Sequence, residues 1–239
     1  MAEFPGLDDV QFILSTSSAD PRAIYDAAAP RYEHFRELWM KLAGGDAERK
    51  MRTILGEILS PGQRVLDAGG GTGAVSREIL QLEPAARITL LDRSLPMLRQ
   101  ASDVRGNRVA GDVMKVPWRD DRFDLVVSAW VIETVSDPVR AVAEYLRVLS
   151  GTGYLLYSFC SLPEGWFSRA GSLLLRKAVE HGFAGKFLAA EEIPWHDCER
   201  SRRWSFHGGL TTLVLLRKCC TVGPGVLPAR MEDVPPTTS

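Results

Sequence analysis

The chain has 239 residues, of which 45% are hydrophobic and 25% charged, the proportions of an ordinary globular protein. That length allows one large domain or two small ones, with enough buried surface to fold without disulfides or metals. Lysine plus arginine total 29 and aspartate plus glutamate 30, a formal charge of −1, which argues against a protein built to coat a nucleic-acid backbone.

In chain order, residues 1–18 are mixed and expected to be loosely held. Their acids stand where a secretory leader carries bases, so no leader is expected. Asp20-Pro21 reads as a helix start, an N-cap acid before a proline at the first helical position. Helical texture then runs to Leu59, with breaks expected near Pro30 and Gly44-Gly45, and Met51, Ile54, Leu55 and Ile58 recur at helical spacing. Ser60-Pro61-Gly62 ends this N-terminal helical lid, residues 1–59.

From residue 60 to 220 strands alternate with helices. Strands are expected at 64–68, 87–91, 108–111, 123–130 and 154–159, and helices at 74–82, 94–101 and 138–149. Residues 162–194 read as a partly helical insert. Two last strands, 200–206 and 210–216, meet at Gly208-Gly209. The pattern predicts an α/β fold: a doubly wound, mostly parallel seven-stranded sheet, Rossmann-like, with helices on both faces and an antiparallel last strand. Residues 221–239, with four prolines and no apolar period, are expected to be disordered. The longest apolar run, Leu125 to Ile132, is far shorter than the ~20 residues that cross a membrane. Cys160, Cys198, Cys219 and Cys220 form no CxxC pair and read as reduced thiols of a cytoplasmic protein. His196 and Cys198 lack a partner pair, so no metal site is expected.

The most informative stretch is Asp67-Ala68-Gly69-Gly70-Gly71-Thr72-Gly73, where an acid ends a strand and a glycine turn opens a helix. Glycines let the backbone bend sharply and let a ligand approach it, and the helix start offers unpaired N–H groups. The spacing Gly69-x-Gly71-x-x-Ala74 fits a dinucleotide fingerprint. The spacing Asp67-x-Gly69-x-Gly71-x-Gly73 fits another ligand, because a carboxylate there would repel a pyrophosphate and attract an amine. S-adenosylmethionine carries that amine and no phosphate. Asp92 follows Asp67 by 25 residues, and Asp112 follows Asp92 by 20. Three acids at three successive strand ends would line the edge where open α/β sheets bind ligands, Asp92 facing a ribose diol and Asp112 an adenine amine.

The stretches VLDAGGGTGAVS, LLDRSLPMLRQA, AGDVMKVPWRDDRFDLVVSAWVIETVSDP and AEYLRVLSGTGYLLYS cover the core of the fold. With them the chain resembles the class I S-adenosylmethionine-dependent methyltransferases, and is most similar to the small-molecule group of the ubiquinone/menaquinone-biosynthesis type. The resemblance implies that Asp67 and the Gly69, Gly71 and Gly73 turn hold the methionine part of the donor. It implies that Asp92, with Arg93 beside it, holds the ribose, that Met97 packs on adenine, and that Asp112 and Val113 fix the adenine edge. Ser128 to Trp130 would line the region around the sulfonium. Where many relatives carry histidine after the glutamate that follows strand four, this chain has Thr134 after Glu133, and its turn before strand five is Gly151-Thr152-Gly153.

The implied reaction is methyl transfer by in-line displacement, and the implied acceptor is a small, aromatic or apolar molecule. No Asn/Asp-Pro-Pro-aromatic turn or Pro-Cys pair follows strand four, which argues against nucleic acid as acceptor. Tyr25, Tyr32, Trp130 and Trp166 are the acceptor-side candidates, with Phe35, Trp39 and Phe167 near them in sequence. His207, at the turn between the last strands, and Glu133 are the candidate bases. A non-catalytic protein that keeps the fold and an NAD-linked oxidoreductase are the alternatives. The sequence leaves monomer or homodimer open.

Overall fold

The computed structural model describes residues 20–163, 185–193 and 201–218, together with 172, 173, 176, 177, 179 and 180. The expectations for the N-terminal 1–18 segment, for the 221–239 tail and for Trp166, Phe167, His196, Cys198, Cys219 and Cys220 lie outside these residues.

The chain enters through three helices joined almost end to end. Helix α1 (Pro21–Ala28) starts at Asp20, whose carboxylate accepts the Arg22 N–H at 3.1 Å. Pro30 breaks it into a 3-10 turn, and α2 (Tyr32–Trp39) follows. The expected break at Gly44-Gly45 is a π-turn over Met40–Gly44 that leads without interruption into α3 (Gly45–Ile58). Gly44 is required there, since a Cβ would lie 2.7 Å from the indole nitrogen of Trp39.

Strand β1 (Arg64–Ala68) then alternates with α4 (Ala74–Leu82), β2 (Arg87–Asp92), α5 (Leu95–Gln100) and β3 (Gly106–Ala110). β4 (Phe123–Ala129), α6 (Pro138–Val148), β5 (Leu149–Cys160), β6 (Ser201–Phe206) and β7 (Thr211–Arg217) complete the domain. The sheet has the order β3-β2-β1-β4-β5-β7-β6. All neighbours from β3 to β5 are parallel, and β7 runs antiparallel to both β5 and β6.

β2 and β7 differ from expectation by one residue at their ends, and three other strands differ for a visible reason. β5 begins at Leu149 because that residue pairs with Phe123 across an irregularity in the β4 register. β3 begins at Gly106, where a Cβ would meet the Ile88 carbonyl at 2.5 Å. β4 stops one residue before Trp130, which takes the left-handed value φ = 60° and cannot continue a strand.

Alternation along the strands feeds two cores, one on each face of the sheet. Val65, Leu90, Leu125 and Val127 face α3, α4 and α5, meeting Ile54, Ile79 and Leu98. Leu66, Leu91, Val126 and Tyr157 face α6, meeting Val142 and Tyr145. The chain works outward from β1 to β3, then returns to β4 on the other side of β1. That reversal leaves a crevice above the C-terminal ends of β1 and β4, where open α/β sheets take ligands.

Candidate donor and acceptor site

The glycine turn fills this crevice, and each glycine has its own cause. Gly69, Gly71 and Gly73 all have positive φ, at 75°, 52° and 85°. A Cβ on Gly69 would lie 2.3 Å from Val131, and one on Gly73 would lie 2.7 Å from Val104. A Cβ on Gly71 would find nothing nearer than 3.9 Å, because it would project into the cleft. The turn is tied to β2 by the Gly69 and Gly70 N–H groups, both donating to the Leu91 carbonyl at 2.7 and 3.2 Å. It ends at Gly73, the N-cap of α4, which carries no side-chain cap.

Acids surround the turn. Asp67 is 1% exposed, and one oxygen accepts the Ser76 hydroxyl at 2.6 Å. Burial pushes its carboxyl up to about 6, outweighing the Ser76 bond, and the nearby Asp92 charge adds to the rise. Asp92, at the end of β2, accepts the Gly71 N–H at 2.9 Å and the Ser94 N–H at 2.8 Å, and burial raises its carboxyl too. Ser94 caps α5 by accepting the Met97 N–H at 3.3 Å, which seats Met97 at 2% exposure. Asp112 closes the turn after β3 by accepting the Met114 N–H at 2.8 Å, and Val113 beside it is buried.

The cleft has two lobes. The larger, of about 660 Å³, is bordered by Asp92, Arg93, Met97, Val113, Tyr25 and Thr134 among others. The smaller, of about 490 Å³, is bordered by Asp67, Gly70, Thr72, Arg36, Glu48 and Ser158 among others. Both lobes share Tyr32, Gly69, Gly71, Ala129 and Trp130, so they lie side by side along one wall.

Helices α1 and α2 roof the cleft. The Tyr25 and Tyr32 rings pack 6.2 Å apart. Burial raises both phenols, which holds them protonated. The Thr72 hydroxyl donates to Glu33, and the Gln100 amide donates to the Ala29 carbonyl, pinning the roof to the turn and to α5. On the far wall the Trp130 backbone N–H donates to the Ser158 carbonyl at 3.1 Å. The Trp130 ring meets Trp39 edge-on at 5.5 Å.

Residues 66–157 match the family model described as a methyltransferase domain. A demethylmenaquinone methyltransferase of Renibacterium salmoninarum is 28% identical over 80% of this chain and 86% of its own length. A second one, of Thermobifida fusca, is 29% identical over 74% of this chain and 82% of its own. A ubiquinone/menaquinone biosynthesis C-methyltransferase of Paracoccus denitrificans is 32% identical over 59% of each chain. Among solved structures, an S-adenosylmethionine-dependent methyltransferase of Thermotoga maritima superposes with a TM-score of 0.59 at 18% identity, covering 82% of this chain and 99% of that one. Residues 66–157 thus carry a methyltransferase domain, and the chain is similar to class I S-adenosylmethionine-dependent methyltransferases. It is similar to the ubiquinone/menaquinone-biosynthesis type, and S-adenosylmethionine is its cofactor.

The residues of this methyltransferase fit that cofactor. Asp67 is a buried carboxylate beside the turn, and among the described residues no cation pairs with it, so the cleft suits a ligand that brings its own positive charge. A pyrophosphate at the same place would meet the charges of Asp67 and Asp92 together. The open position at Gly71 leaves the backbone approachable.

Most sequence candidates converge on the cleft, namely Asp67, Gly69, Gly71, Asp92, Arg93, Met97, Val113, Tyr25, Tyr32 and Trp130. Gly73 and Asp112 shape its edge without bordering it. Three candidates lie elsewhere. Ser128 is fully buried in β4, where its hydroxyl bonds to the Ala68 carbonyl at 2.9 Å and to Tyr145 at 3.1 Å, so it serves the sheet and not a ligand. His207 occupies the correct edge of the sheet but turns its imidazole to Asp46 of α3 at 3.1 Å, with φ = 51°, and borders neither lobe. Glu133 lies behind the wall, 3% exposed, with one oxygen accepting the Cys160 N–H at 3.2 Å. Trp166 lies outside the described residues. Arg36, Glu48 and Glu33 were not anticipated. Their helical spacing marks an exposed polar face of the lid, and nothing local shows that this face folds down over the turn.

Proposed function

We propose that the protein transfers a methyl group from S-adenosylmethionine to a small, flat, largely apolar aromatic acceptor of the hydroquinone class. The observation that carries this reading is the adjacency of the two lobes, which brings the acid-edged glycine turn beside an aromatic roof and wall built by Tyr25, Tyr32 and Trp130. The named activities of the relatives support it: two act on demethylmenaquinone, and a rice relative, 37% identical over 47% of this chain, is a methyltransferase of a phytyl hydroquinone.

In this reading Asp67 and the glycine turn hold the amino-acid end of the donor. Asp92 and Arg93 take the ribose, and Met97, Asp112 and Val113 frame the adenine. The donor supplies an electrophilic methyl group on a sulfonium that departs as a neutral thioether, and the proton that the acceptor loses is released to bulk water. The chain supplies alignment and a water-poor space. Tyr25 and Tyr32, kept protonated, act as hydrogen-bond donors toward a ring oxygen and not as bases. Trp130 offers a π surface both to the ring and to the sulfonium. Attack in line with the departing thioether is the expected geometry.

The test uses purified protein, methyl-labelled donor, and a panel of hydroquinones, catechols and amines. Label should pass to a hydroquinone, and S-adenosylhomocysteine should bind. Asp92→Ala should abolish transfer and weaken that binding by about tenfold or more, because it removes charge-assisted bonds. A folded sample that binds no S-adenosylhomocysteine, or that labels amines alone, would defeat the reading.

A further inference from the structure

The smaller lobe contains charge that the donor assignment above leaves unexplained. Arg36 of α2 and Glu48 of α3 border it together, both only 22% exposed at the side chain, and the Arg36 Nη2 donates to a Glu48 oxygen. Glu33, one turn before Arg36, accepts the Thr72 hydroxyl over the glycine turn. The lobe is therefore bordered by two acids, Asp67 and Glu48. Among the described residues that border it, Arg36 is the one cation.

A carboxylate entering such a lobe would face repulsion from these two acids and attraction from a single group. We propose that Arg36 is the ligand for the carboxylate of the donor's amino-acid end, and that Glu48 is the positioning residue that aims its guanidinium into the lobe. This rests on the donor reading above and deepens it. A guanidinium is a rigid fork with five N–H groups, so one bond to Glu48 fixes its plane and leaves others for a second carboxylate. An α-amino acid carries its ammonium and carboxylate on one carbon. Asp67 on the sheet and Arg36 on the lid then hold the two charges from opposite walls, and the donor itself ties lid to sheet. The N–H groups at the start of α4 are the competing holder for the carboxylate, since Gly73 provides no side-chain cap there.

Two ligands separate these arrangements: S-adenosylhomocysteine, which has the amino-acid end, and 5′-methylthioadenosine, which lacks it. Arg36→Gln should raise the Kd of the first by about tenfold or more and change that of the second by less than about twofold. Arg36→Lys should fall between, because it keeps the charge and loses the fork. Glu48→Gln should weaken S-adenosylhomocysteine by a smaller factor and again spare the shorter ligand. Equal weakening of both ligands by Arg36→Gln would mean that the residue merely pins the lid, and would overturn the proposal. No weakening of either would place the carboxylate at the α4 amides and overturn it as well. Failure of the unsubstituted protein to bind either ligand would instead defeat the donor reading on which the proposal stands.

Discussion

Glu133 shows what burial does to a single charge. One carboxylate oxygen has the Cys160 N–H, the other is buried without a partner, and desolvation pushes the group up to about 7 from the ordinary 4.5. The folded-state value lies above the unfolded one, so the folded chain takes up a proton that the unfolded chain has released. The associated stability is fully present below about pH 4.5, declines as pH rises, and is gone above about 7, where the fold carries a buried charge. Glu133→Gln removes that cost. The variant should match the native protein near pH 4 and exceed it by roughly 3 kcal/mol near pH 8, at about 1.36 kcal/mol per pKa unit. Urea titrations across that range measure the gap, and a gap that does not widen with pH would contradict the burial. The sequence shows that an acid follows β4, but not on which side of a one-residue-thick wall its side chain lies. The same limit applies to His207 and Ser128, whose positions along the chain are correct and whose side chains face Asp46 and Tyr145.

At the scale of elements, the glycine turn was the most legible part of the chain, since strand, acid, glycines and helix follow one another within a dozen residues. The strands were legible because apolar runs punctuated by turns have few other solutions. The lid was legible only as helix. Its π-turn depends on Trp39 packing over Gly44, and its polar face meets the glycine turn only through the tertiary fold. The three glycines with positive φ now separate by environment. Gly71→Ala costs about 1–2 kcal/mol for left-handed backbone and meets no protein atom within 3.4 Å, so the fold should survive with donor binding lost. Gly69→Ala forces its Cβ onto Val131 at 2.3 Å and should destabilise by considerably more. Thermal melts paired with S-adenosylhomocysteine titration distinguish the two. A Gly71→Ala protein that still binds the ligand at native strength would show that this turn does not face it.

The whole molecule divides into a sheet packed from both faces and a roof held by a small number of specific ties. Two apolar cores cover β1, β2, β4 and β5. The roof over the cleft is attached by polar ties, among them Glu33 to Thr72, Gln100 to Ala29 and a 4.0 Å approach of Arg93 to Asp20, and by a small apolar cluster that holds Trp39 and Ala43. Segments with fewer buried apolar contacts open at lower free energy than the larger cores beneath them. A ligand gripped by both floor and roof should stabilise the roof first. S-adenosylhomocysteine at about one hundred times its Kd should raise global stability by about 2.7 kcal/mol. Over the same titration, amide exchange in residues 21–44 should slow by about tenfold or more, while exchange in β6 and β7 should follow the global change alone. Protection limited to the glycine turn and the end of β2 would mean that the roof takes no part in holding the donor. Because Arg36 is the roof's charged contact with the small lobe, Arg36→Gln should reduce the protection of residues 21–44 and leave that of the glycine turn in place.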